Sequence, residues 1–273
     1  MSKEQPKTGF ERNAQAEPPV FKRILCGVDG TPASLVAVRQ ALRLQDENGS
    51  VLLSAVANVA QAAQAGMAAP HAAELLQHEA EAALATAKEI APSASSKLVN
   101  GEPVAALLKQ AEAERATLIA VGSHGRRRVA GLLLGTVTAQ MLRVAACSVL
   151  VSRTARDPEA WPQTVVVGVD GSVESAAAFV VAQSVAQRFG GRVRAMASTK
   201  DQLDREAARA IAAGLEEQDG PTVNVLAAAS ESADLVVVGS RGLHGLKALG
   251  SVSERVAHQA HSSVLVIRPG HAL

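Results

Sequence analysis

The sequence predicts an α/β protein built from two similar doubly wound domains, each with a five-stranded parallel sheet and helices on both faces. Three observations support this fold class. Short continuous apolar segments alternate with segments whose apolar residues recur at helical spacing, which is typical of buried parallel strands joined by helices. The whole pattern then begins a second time. The chain has 273 residues, enough for two domains of ordinary size.

The first domain is predicted to span residues 21–153. Five short segments are predicted as its strands: Arg23–Val28, Val51–Val56, Lys97–Val99, Thr117–Val121 and Ser148–Val151. The first helix begins at Thr31 and Pro32, because Thr caps helices and Pro suits a first helical turn. Further helices are predicted over Ala73–Ile90, from Pro103, and over Val137–Ala145. Gly49 and Ser50 are predicted to form a turn before the second strand.

An internal duplication predicts a second domain over residues 164–269. The corresponding segments are ILCGVDGTPAS at 24–34 and VVVGVDGSVES at 165–175, LIAVGSHG at 118–125 and LVVVGSRG at 235–242, and SVLV at 148–151 and 263–266. These matches fall on the strands and on the turns that follow them. The two copies are therefore expected to share one topology.

The second copy is shortened. The offset between copies is 141 at Asp29 and Asp170 but 117 at Gly122 and Gly239, so 24 residues are missing between the second and fourth strands. The loss falls on the second helix and the third strand, which lies at a sheet edge in a flavodoxin-like topology. Outside the two domains, residues 154–163 are predicted to be a polar linker with two prolines. Residues 1–20 are polar and are predicted to be a disordered tail.

Composition argues against several classes of partner. The formal net charge is +1 and aromatic residues make up 2% of the chain, with no Tyr, so neither an electrostatic footprint for nucleic acid nor a base-stacking surface is expected. No apolar run reaches the roughly 18 residues of a membrane span. Cys26 and Cys147 lie in or beside apolar runs, which predicts buried reduced thiols in a cytoplasmic protein rather than a redox or metal site.

The glycine-rich stretch Val121–Thr138, VGSHGRRRVAGLLLGTVT, carries the main functional signal. An apolar strand runs into Gly122, and a helix is predicted to begin again after Gly135. Backbone N–H groups at such a turn and helix start are suited to bind phosphate, and glycine permits close approach of an anion. Neither the Walker A phosphate loop nor a Gly-x-Gly-x-x-Gly dinucleotide motif is present.

Two separate segments are expected to meet in one crevice. In an open α/β sheet, ligands bind at the carboxyl ends of the strands where the winding direction reverses, and the first and fourth strands flank that point. Asp29 follows the first strand and Gly122 ends the fourth. Asp29 is a candidate acceptor for ribose hydroxyls or an adenine edge, although it could instead only cap the following helix. Together the two segments indicate a nucleotide rather than a bare phosphate.

Asp29, with Gly122, Gly125, Gly135 and Thr136 in the pattern G-x2-G-x9-G-[ST], resembles the universal stress protein family. The resemblance extends over both copies and implies a Rossmann-like, adenine nucleotide α-hydrolase-like fold. It also implies that the last strands, Ser148–Val151 and Ser263–Val266, pair with each other within the chain, because domains of this family pair through their last strands. By this resemblance to the ATP-binding branch, the nucleotide-binding residues are Gly27, Val28, Asp29, Ala55, Val121, Gly122, His124, Gly125, Gly135, Thr136, Val137 and Thr138. The implied ligand is ATP with Mg²⁺. No catalytic residue and no protein metal ligand are predicted.

The second copy departs from this pattern. Only seven residues separate Gly242 from Gly250, against nine between Gly125 and Gly135. A change of two residues rotates the following helix start by roughly half a turn, so its N–H groups should miss a phosphate. Because Asp170 is retained, the alternative is that the second copy has a weaker or altered nucleotide-binding site.

Several residues allow two interpretations. The run Arg126–Arg128 could pair with phosphates or an acidic partner, or form a solvated charge run. His124 could act as a base, or pack beside the ribose. The predicted function is an ATP-binding regulatory or stress-response protein with at most slow hydrolysis and an unknown protein partner. The alternatives are a dimerisation or scaffold module and an adenine-nucleotide hydrolase or transferase. Whether whole chains also form a homodimer is left open.

Overall fold

The computed structural model describes residues 21–58, 69–124, 134–201, 203–240 and 252–268. Some predictions concern residues outside these ranges: the N-terminal tail, Gly125, the Arg126–Arg128 run, Gly242 and Gly250.

The first repeat alternates strands and helices as the sequence predicts. Its elements are β1 (Phe21–Gly27), α1 (Pro32–Leu44), β2 (Gln45–Ala57), α2 (Ala69–Ile90), β3 (Ser95–Asn100), α3 (Pro103–Ala113), β4 (Leu118–Gly122), α4 (Thr136–Val144) and β5 (Ser148–Ser152). Local chemistry explains two of the helix starts. Thr31 accepts a hydrogen bond from the Ser34 backbone N–H at the start of α1, and Glu102 accepts one from Ala105 N–H at the start of α3.

The second repeat has the same order with shorter elements near its third strand. Its elements are β6 (Thr164–Gly168), α5 (Val173–Arg188), β7 (Arg192–Ser198), α6 (Arg205–Ile211), β8 (Glu216–Gln218), α7 (Thr222–Ser230), β9 (Leu235–Gly239), α8 (Val252–Gln259) and β10 (Ser263–Ile267). Helix α6 has 7 residues where α2 has 22, and β8 has 3 where β3 has 6. The predicted site of the shortening is confirmed.

All ten strands form one continuous sheet in the order β3-β2-β1-β4-β5-β10-β9-β6-β7-β8. Among the described residues, pairing is parallel within each repeat and antiparallel between β5 and β10, where Leu150 lies opposite Leu265. The two last strands therefore join the repeats through backbone hydrogen bonds, as the family resemblance implies. The shortened strand β8 lies at one edge of the sheet and β3 lies at the other. Loss of chain at an edge leaves the central pairing intact.

The helices cover both faces of the sheet and bury one apolar layer on each. On one face α1, α2 and α5 contribute buried residues that include Ala37, Ala87 and Ala182. On the other face α3, α4, α7 and α8 contribute buried residues that include Leu107 and Met141. The central strands, such as β4, β5, β9 and β10, are buried from both sides, which explains why their sequences are continuous apolar runs. The edge strands β3 and β8 are more exposed and carry polar residues. Among the described residues, no helix combines the length and apolar character that a membrane crossing requires.

Two local predictions about the first repeat were wrong in detail. Gly49 and Ser50 do not form a separate turn, because β2 already begins at Gln45 and Ser50 pairs with Arg23. A Cβ at Gly49 would lie 2.9 Å from the carbonyl oxygen of Lys22, so glycine is needed there for a close strand contact. Helix α2 begins at Ala69, four residues before the predicted start at Ala73.

The segment predicted as a polar linker contributes a core residue. Trp161 is 1% exposed, and its indole N–H donates a 3.0 Å hydrogen bond to the carbonyl oxygen of Asp234. The Asp234 carboxylate in turn accepts from the backbone N–H groups of Gln163 and Thr164, at 2.9 Å each. The prediction of a linker was based on the mostly polar composition of the segment. A single large apolar side chain, Trp161, is nevertheless enough to pack the segment into the core.

Candidate functional site

The sheet order places the two predicted halves of the site side by side. Strands β1 and β4 are neighbours, with Cys26 opposite Ala120, so Asp29 and Gly122 follow adjacent strand ends. Strands β6 and β9 are neighbours in the same way, with Val167 opposite Val237. Each repeat therefore has one crevice at the point where its winding direction reverses.

The Asp29 side chain organises the turn between β1 and α1. Its Oδ1 accepts hydrogen bonds from the Thr31 backbone N–H at 3.0 Å and from the Thr31 hydroxyl at 2.6 Å. The Ser34 hydroxyl donates to the Thr31 carbonyl oxygen at 2.9 Å and accepts from Asp29 N–H at 3.3 Å. Asp29 thus supports the helix cap, the alternative role considered from the sequence. Because a carboxylate has about four acceptor positions, this does not exclude a ligand.

The second repeat reproduces this network. Asp170 accepts from the Ser172 backbone N–H at 3.0 Å and from its hydroxyl at 2.5 Å, and the Ser175 hydroxyl donates to the Ser172 carbonyl at 2.9 Å. Burial raises the pKa of the Asp170 carboxyl, but the hydrogen bonds from Ser172 and Ser175 outweigh it and lower the pKa below its ordinary value. Ser34 and Ser175 were not predicted as site residues. The repeated final Ser of the GTPAS and GSVES segments was the signal that could have identified them.

Gly122 has a packing role that the sequence argument did not anticipate. A Cβ at this position would lie 2.7 Å from the backbone carbon of Ala33 and 2.8 Å from the nitrogen of Ser34. Gly239 is restricted in the same way by the backbone of Glu174. Glycine at the end of β4 and β9 therefore lets the first turn of α1 or α5 pack directly on the strand end. This close backbone contact within the protein is by itself a sufficient reason for glycine at both positions.

The residues after β4 are tied together by three hydrogen bonds. The Gly135 N–H donates to the Ser123 carbonyl oxygen at 2.7 Å, which closes the two ends of the glycine-rich segment. Ser123 N–H donates to the Ser152 carbonyl oxygen at 3.0 Å, and the Ser123 hydroxyl lies 3.0 Å from Nδ1 of His124. Ser123 is buried and His124 is half-buried. Ser123 was not predicted, and its backbone role has no signal in side-chain patterns.

Helix α4 begins at this closed segment. Gly135 is its N-cap residue and no side chain caps the helix. The first N–H groups of a helix lack intrahelical partners, so those near Thr136 and Val137 are available to a ligand or to water. Thr136 is exposed, whereas Thr138 is 3% exposed and its hydroxyl donates to the Gly122 carbonyl oxygen at 2.7 Å. Thr138 therefore ties α4 to β4, and its hydroxyl hydrogen is not directed to a phosphate.

The predicted adenosine-binding positions lie inside or beside the sheet. Val28 N–H donates to the Ser54 carbonyl oxygen at 2.9 Å, and a Cβ on Gly27 would meet Leu107 at 3.2 Å. Ala55 is not at the end of β2: it pairs with Leu98 of β3, and the strand continues to Ala57. The predicted strand, Val51–Val56, ended one residue early. Val121, also predicted, is a buried residue of β4.

A buried polar pair distinguishes the first repeat. The Ser54 hydroxyl donates to Oε1 of Gln110 at 2.9 Å, and Gln110 is 4% exposed. The Gln110 amide nitrogen has no partner among the described residues. The second repeat has Met196 where the first has Ser54, since Val169 N–H donates to the Met196 carbonyl as Val28 donates to Ser54. The two crevices therefore differ in the polarity of the strand beneath them.

The crevice of the second repeat is small and acidic. It forms a cavity of about 200 Å³, which is below the roughly 300–1,000 Å³ of typical ligand pockets. Asp170 and Asp201 both line it. A hydrogen bond from Thr222 lowers the pKa of Asp201, so both carboxylates are ionised near neutral pH. These two carboxylates oppose a polyphosphate in the crevice, and the positive charge of Arg255, which also acts on Asp201, offsets part of that effect.

These features define a class of protein. It is a tandem α/β protein with two similar repeats, which are joined through an antiparallel pair of strands and each have a crevice where the winding direction reverses. A family model described as the universal stress protein family matches residues 21–153 and 195–268. These matches cover more than half of the chain, and the protein belongs to this family.

Known proteins similar to this chain support the assignment. Universal stress protein Rv2623 of Mycobacterium tuberculosis is 31% identical over 286 residues, covering 90% of this chain and 96% of the relative. Universal stress protein Rv2005c of the same species is 35% identical over 206 residues, covering 64% of this chain and 69% of the relative. The crystal structure of a universal stress protein from Archaeoglobus fulgidus superposes with a TM-score of 0.72 at 22% identity, covering 90% of this chain and 96% of that one. The last similarity concerns the fold alone.

Proposed function

We propose that this universal stress protein is a cytoplasmic regulatory protein that binds ATP mainly through its first repeat and hydrolyses it slowly at most. The observation that carries the proposal is the convergence of Asp29 and the uncapped start of α4 on adjacent strand ends. Both cysteines are free and buried, which is typical of proteins in a reducing compartment.

The two sides of the crevice offer complementary chemistry. Asp29 supplies a carboxylate acceptor for ribose hydroxyls while it holds the turn through Thr31. The first turn of α4 supplies backbone N–H donors and the positive end of a helix dipole, both of which favour phosphate. This donor set fits a nucleotide better than a neutral metabolite.

Mg²⁺ fits the proposal as a companion of the phosphates rather than as a protein-bound metal. The described residues contain no group of three or more His, Cys, Asp or Glu side chains placed to hold a metal ion. Mg²⁺ commonly retains several waters and binds through substrate phosphates with one or two carboxylates. When bound, the ion would neutralise phosphate charge, and the chain's own donors would orient the phosphates.

One observation favours the hydrolase alternative, although weakly. The Ser123 hydroxyl lies 3.0 Å from the His124 ring nitrogen, a contact that resembles a nucleophile and its base. However, Ser123 is 4% exposed, and its backbone groups close the segment between β4 and α4. A buried hydroxyl with a structural role is poorly placed to attack a substrate, so the regulatory function is preferred.

The first experiment measures bound nucleotide directly. The full chain is purified without added nucleotide and denatured, and the released small molecules are quantified by chromatography. We expect about one adenine nucleotide per chain, bound by the first repeat. Two per chain would mean that the second crevice also binds. No nucleotide, together with no thermal shift on adding ATP and Mg²⁺, would refute the proposal in favour of the scaffold alternative.

Matched variants then locate the site. Asp29→Asn retains an acceptor oxygen for Thr31, so the cap persists while the charge is lost. We expect at least a tenfold loss of ATP affinity, about 1.4 kcal/mol, with the fold retained. Asp170→Asn makes the same change in the second repeat and should leave the affinity within about twofold, or 0.4 kcal/mol. If Asp170→Asn removed most of the binding, the assignment of the two repeats would be reversed.

Gly122 is unsuitable as a test of phosphate binding. Any side chain at this position would collide with the backbone of Ala33 and Ser34. A Gly122 variant would lose binding because the strand end and α1 separate, whether or not the glycine touches a ligand. The Asp29→Asn and Asp170→Asn pair avoids this ambiguity, since both changes preserve the backbone packing.

A further inference from the structure

Two arginines occupy equivalent positions immediately after the two central strands. Arg153 follows β5, and Arg268 follows β10. The backbone N–H of Arg153 donates to the Ser263 hydroxyl at 2.9 Å, and that of Arg268 donates to the Ser148 hydroxyl at 3.2 Å. Each arginine therefore leaves its own strand and meets the first residue of the other repeat's last strand. The arrangement follows the approximate two-fold symmetry of the β5–β10 pair.

The Arg268 guanidinium crosses from the second repeat to the first. Its Nη2 donates to the carbonyl oxygen of Leu142, in the last turn of α4. Arg268 is 4% exposed, burial lowers its pKa, and its Nε and Nη1 have no partner among the described residues. A buried cation with so few hydrogen bonds is costly. A positive charge is favourable at the carboxyl end of a helix, so the position of Arg268 indicates that it stabilises the end of α4.

The Arg153 guanidinium makes the reciprocal contact. Its Nη2 donates to the carbonyl oxygen of Ala257 in α8 at 2.6 Å, and its Nη1 donates to the carbonyl of Ser262 at 3.4 Å. Burial lowers the pKa of Arg153 to about 10, so it remains protonated near neutral pH. Leu142 and Ala257 occupy equivalent places in the last helix of their repeats. Each repeat thus holds the carboxyl end of the other's last helix.

A third link joins the two helices directly. Nε and Nη2 of Arg143 on α4 donate to Oε1 of Glu254 on α8, at 2.9 and 2.5 Å. The Glu254 side chain is 5% exposed and lies in the first turn of α8. The end of α4 is therefore connected both to the end of β10 and to the start of α8.

These contacts matter for the crevice because α4 is short. It has nine residues, and helices of this length are marginal without tertiary contacts. Leu142 lies about 9 Å along the axis from Thr136, at 1.5 Å per residue. An anchor at Leu142 therefore limits how far the first turn can tilt or fray. The N–H groups of that turn are the ones that the proposed function assigns to phosphate.

We propose that Arg268 is a positioning residue for the crevice of the first repeat, and that Arg153 plays the same part for α8 in the second. Each repeat thereby completes the helix that borders the other's crevice. The effect on ATP affinity rests on the proposed function, whereas the effect on the two helices does not.

Hydrogen–deuterium exchange of the full chain without nucleotide tests the positioning. In Arg268→Gln we expect exchange in 136–144 to accelerate at least tenfold, with 252–259 changed less than threefold. In Arg153→Gln we expect the converse. Arg188→Gln is the matched control, because Arg188 also donates across the repeats, to the Gln45 carbonyl at 2.6 Å, but away from α4. It should leave both helices unchanged.

ATP titration of the same variants tests the link to the crevice. We expect Arg268→Gln to weaken ATP binding at least fivefold, Arg268→Lys to recover part of the loss, and Arg188→Gln to leave it unchanged. If Arg268→Gln does not fold, Arg143→Gln removes the partly exposed link from α4 and should also accelerate exchange in 136–144.

The outcomes separate the two proposals. Unchanged exchange in 136–144 would overturn the positioning role, and so would acceleration spread evenly over the whole chain. Accelerated exchange with unaltered ATP affinity would overturn the link to the crevice. If the wild-type chain binds no ATP, the proposed function fails, while the exchange measurements still decide the role of the arginines.

Discussion

Replacing Thr138 by Val should destabilise the junction between β4 and α4. The change preserves the shape of the side chain but removes the hydroxyl that donates to the Gly122 carbonyl at 2.7 Å. Thr138 is 3% exposed, so the carbonyl would lose a partner in a site with little access to water. A buried polar group left without its partner costs about 1–3 kcal/mol. We expect the free energy of unfolding to fall by about that amount.

Urea unfolding followed by circular dichroism measures this effect. With a slope of about 2 kcal/mol per molar urea, the midpoint should fall by roughly 0.5–1.5 M at unchanged slope. Thr138→Ser is the matched control, since it retains the hydroxyl and has the residue that the second repeat carries at its equivalent position, Ser253. A Val variant with the wild-type midpoint would refute the anchoring role. A Ser variant as unstable as the Val variant would show that the methyl group is the important part.

Three further predictions concern other parts of the chain. Trp161→Ala should lower the free energy of unfolding by about 3–5 kcal/mol, measured by urea unfolding, because it empties a fully buried site; a loss under about 1 kcal/mol would show that the segment is not part of the core. Burial raises the pKa of Cys26 to about 12 and that of Cys147 to about 11, so neither thiol should react with a disulfide reagent at pH 8 until denaturant is added. A hydrogen bond from Arg194 lowers the pKa of Glu216 below its ordinary 4.5, so its stabilising contribution is complete above that pH and is lost as pH falls through the folded pKa. The thermal unfolding midpoint of Glu216→Gln should therefore depend less on pH below 4.5 than that of the wild type. Identical pH dependence of the two midpoints would contradict a stabilising role for the ionised Glu216 carboxylate.

The fold was predictable because it depends on repeated local patterns. Continuous apolar strands such as Leu118–Val121 indicate burial on both faces, and burial on both faces implies helices on both sides. The offset between the copies was enough to locate the shortened α6 and β8, since a deletion is visible in spacing alone. Pairing through the last strands was expected from the family resemblance, and it is observed between β5 and β10.

The site was less predictable because its details depend on contacts between distant residues. Gly122 was predicted to bind phosphate because glycine has a flexible backbone and lets an anion approach closely. The structure adds a second reason for glycine, since a side chain there would collide with the backbone of Ala33, some ninety residues earlier in the chain. Thr138 was assigned as a ligand donor, but its hydroxyl is bonded to the protein. Arg153 and Arg268 were not predicted to have a role, because no local sequence pattern shows that a side chain will contact the other repeat.

The antiparallel contact between β5 and β10 determines the directions in which the two crevices open. Because the two parallel halves run in opposite directions, the carboxyl ends of their strands lie on opposite borders of the ten-stranded sheet. The mouths of the two crevices therefore open away from each other. A ligand in one crevice is therefore out of contact with a ligand in the other, and each mouth is covered or uncovered independently.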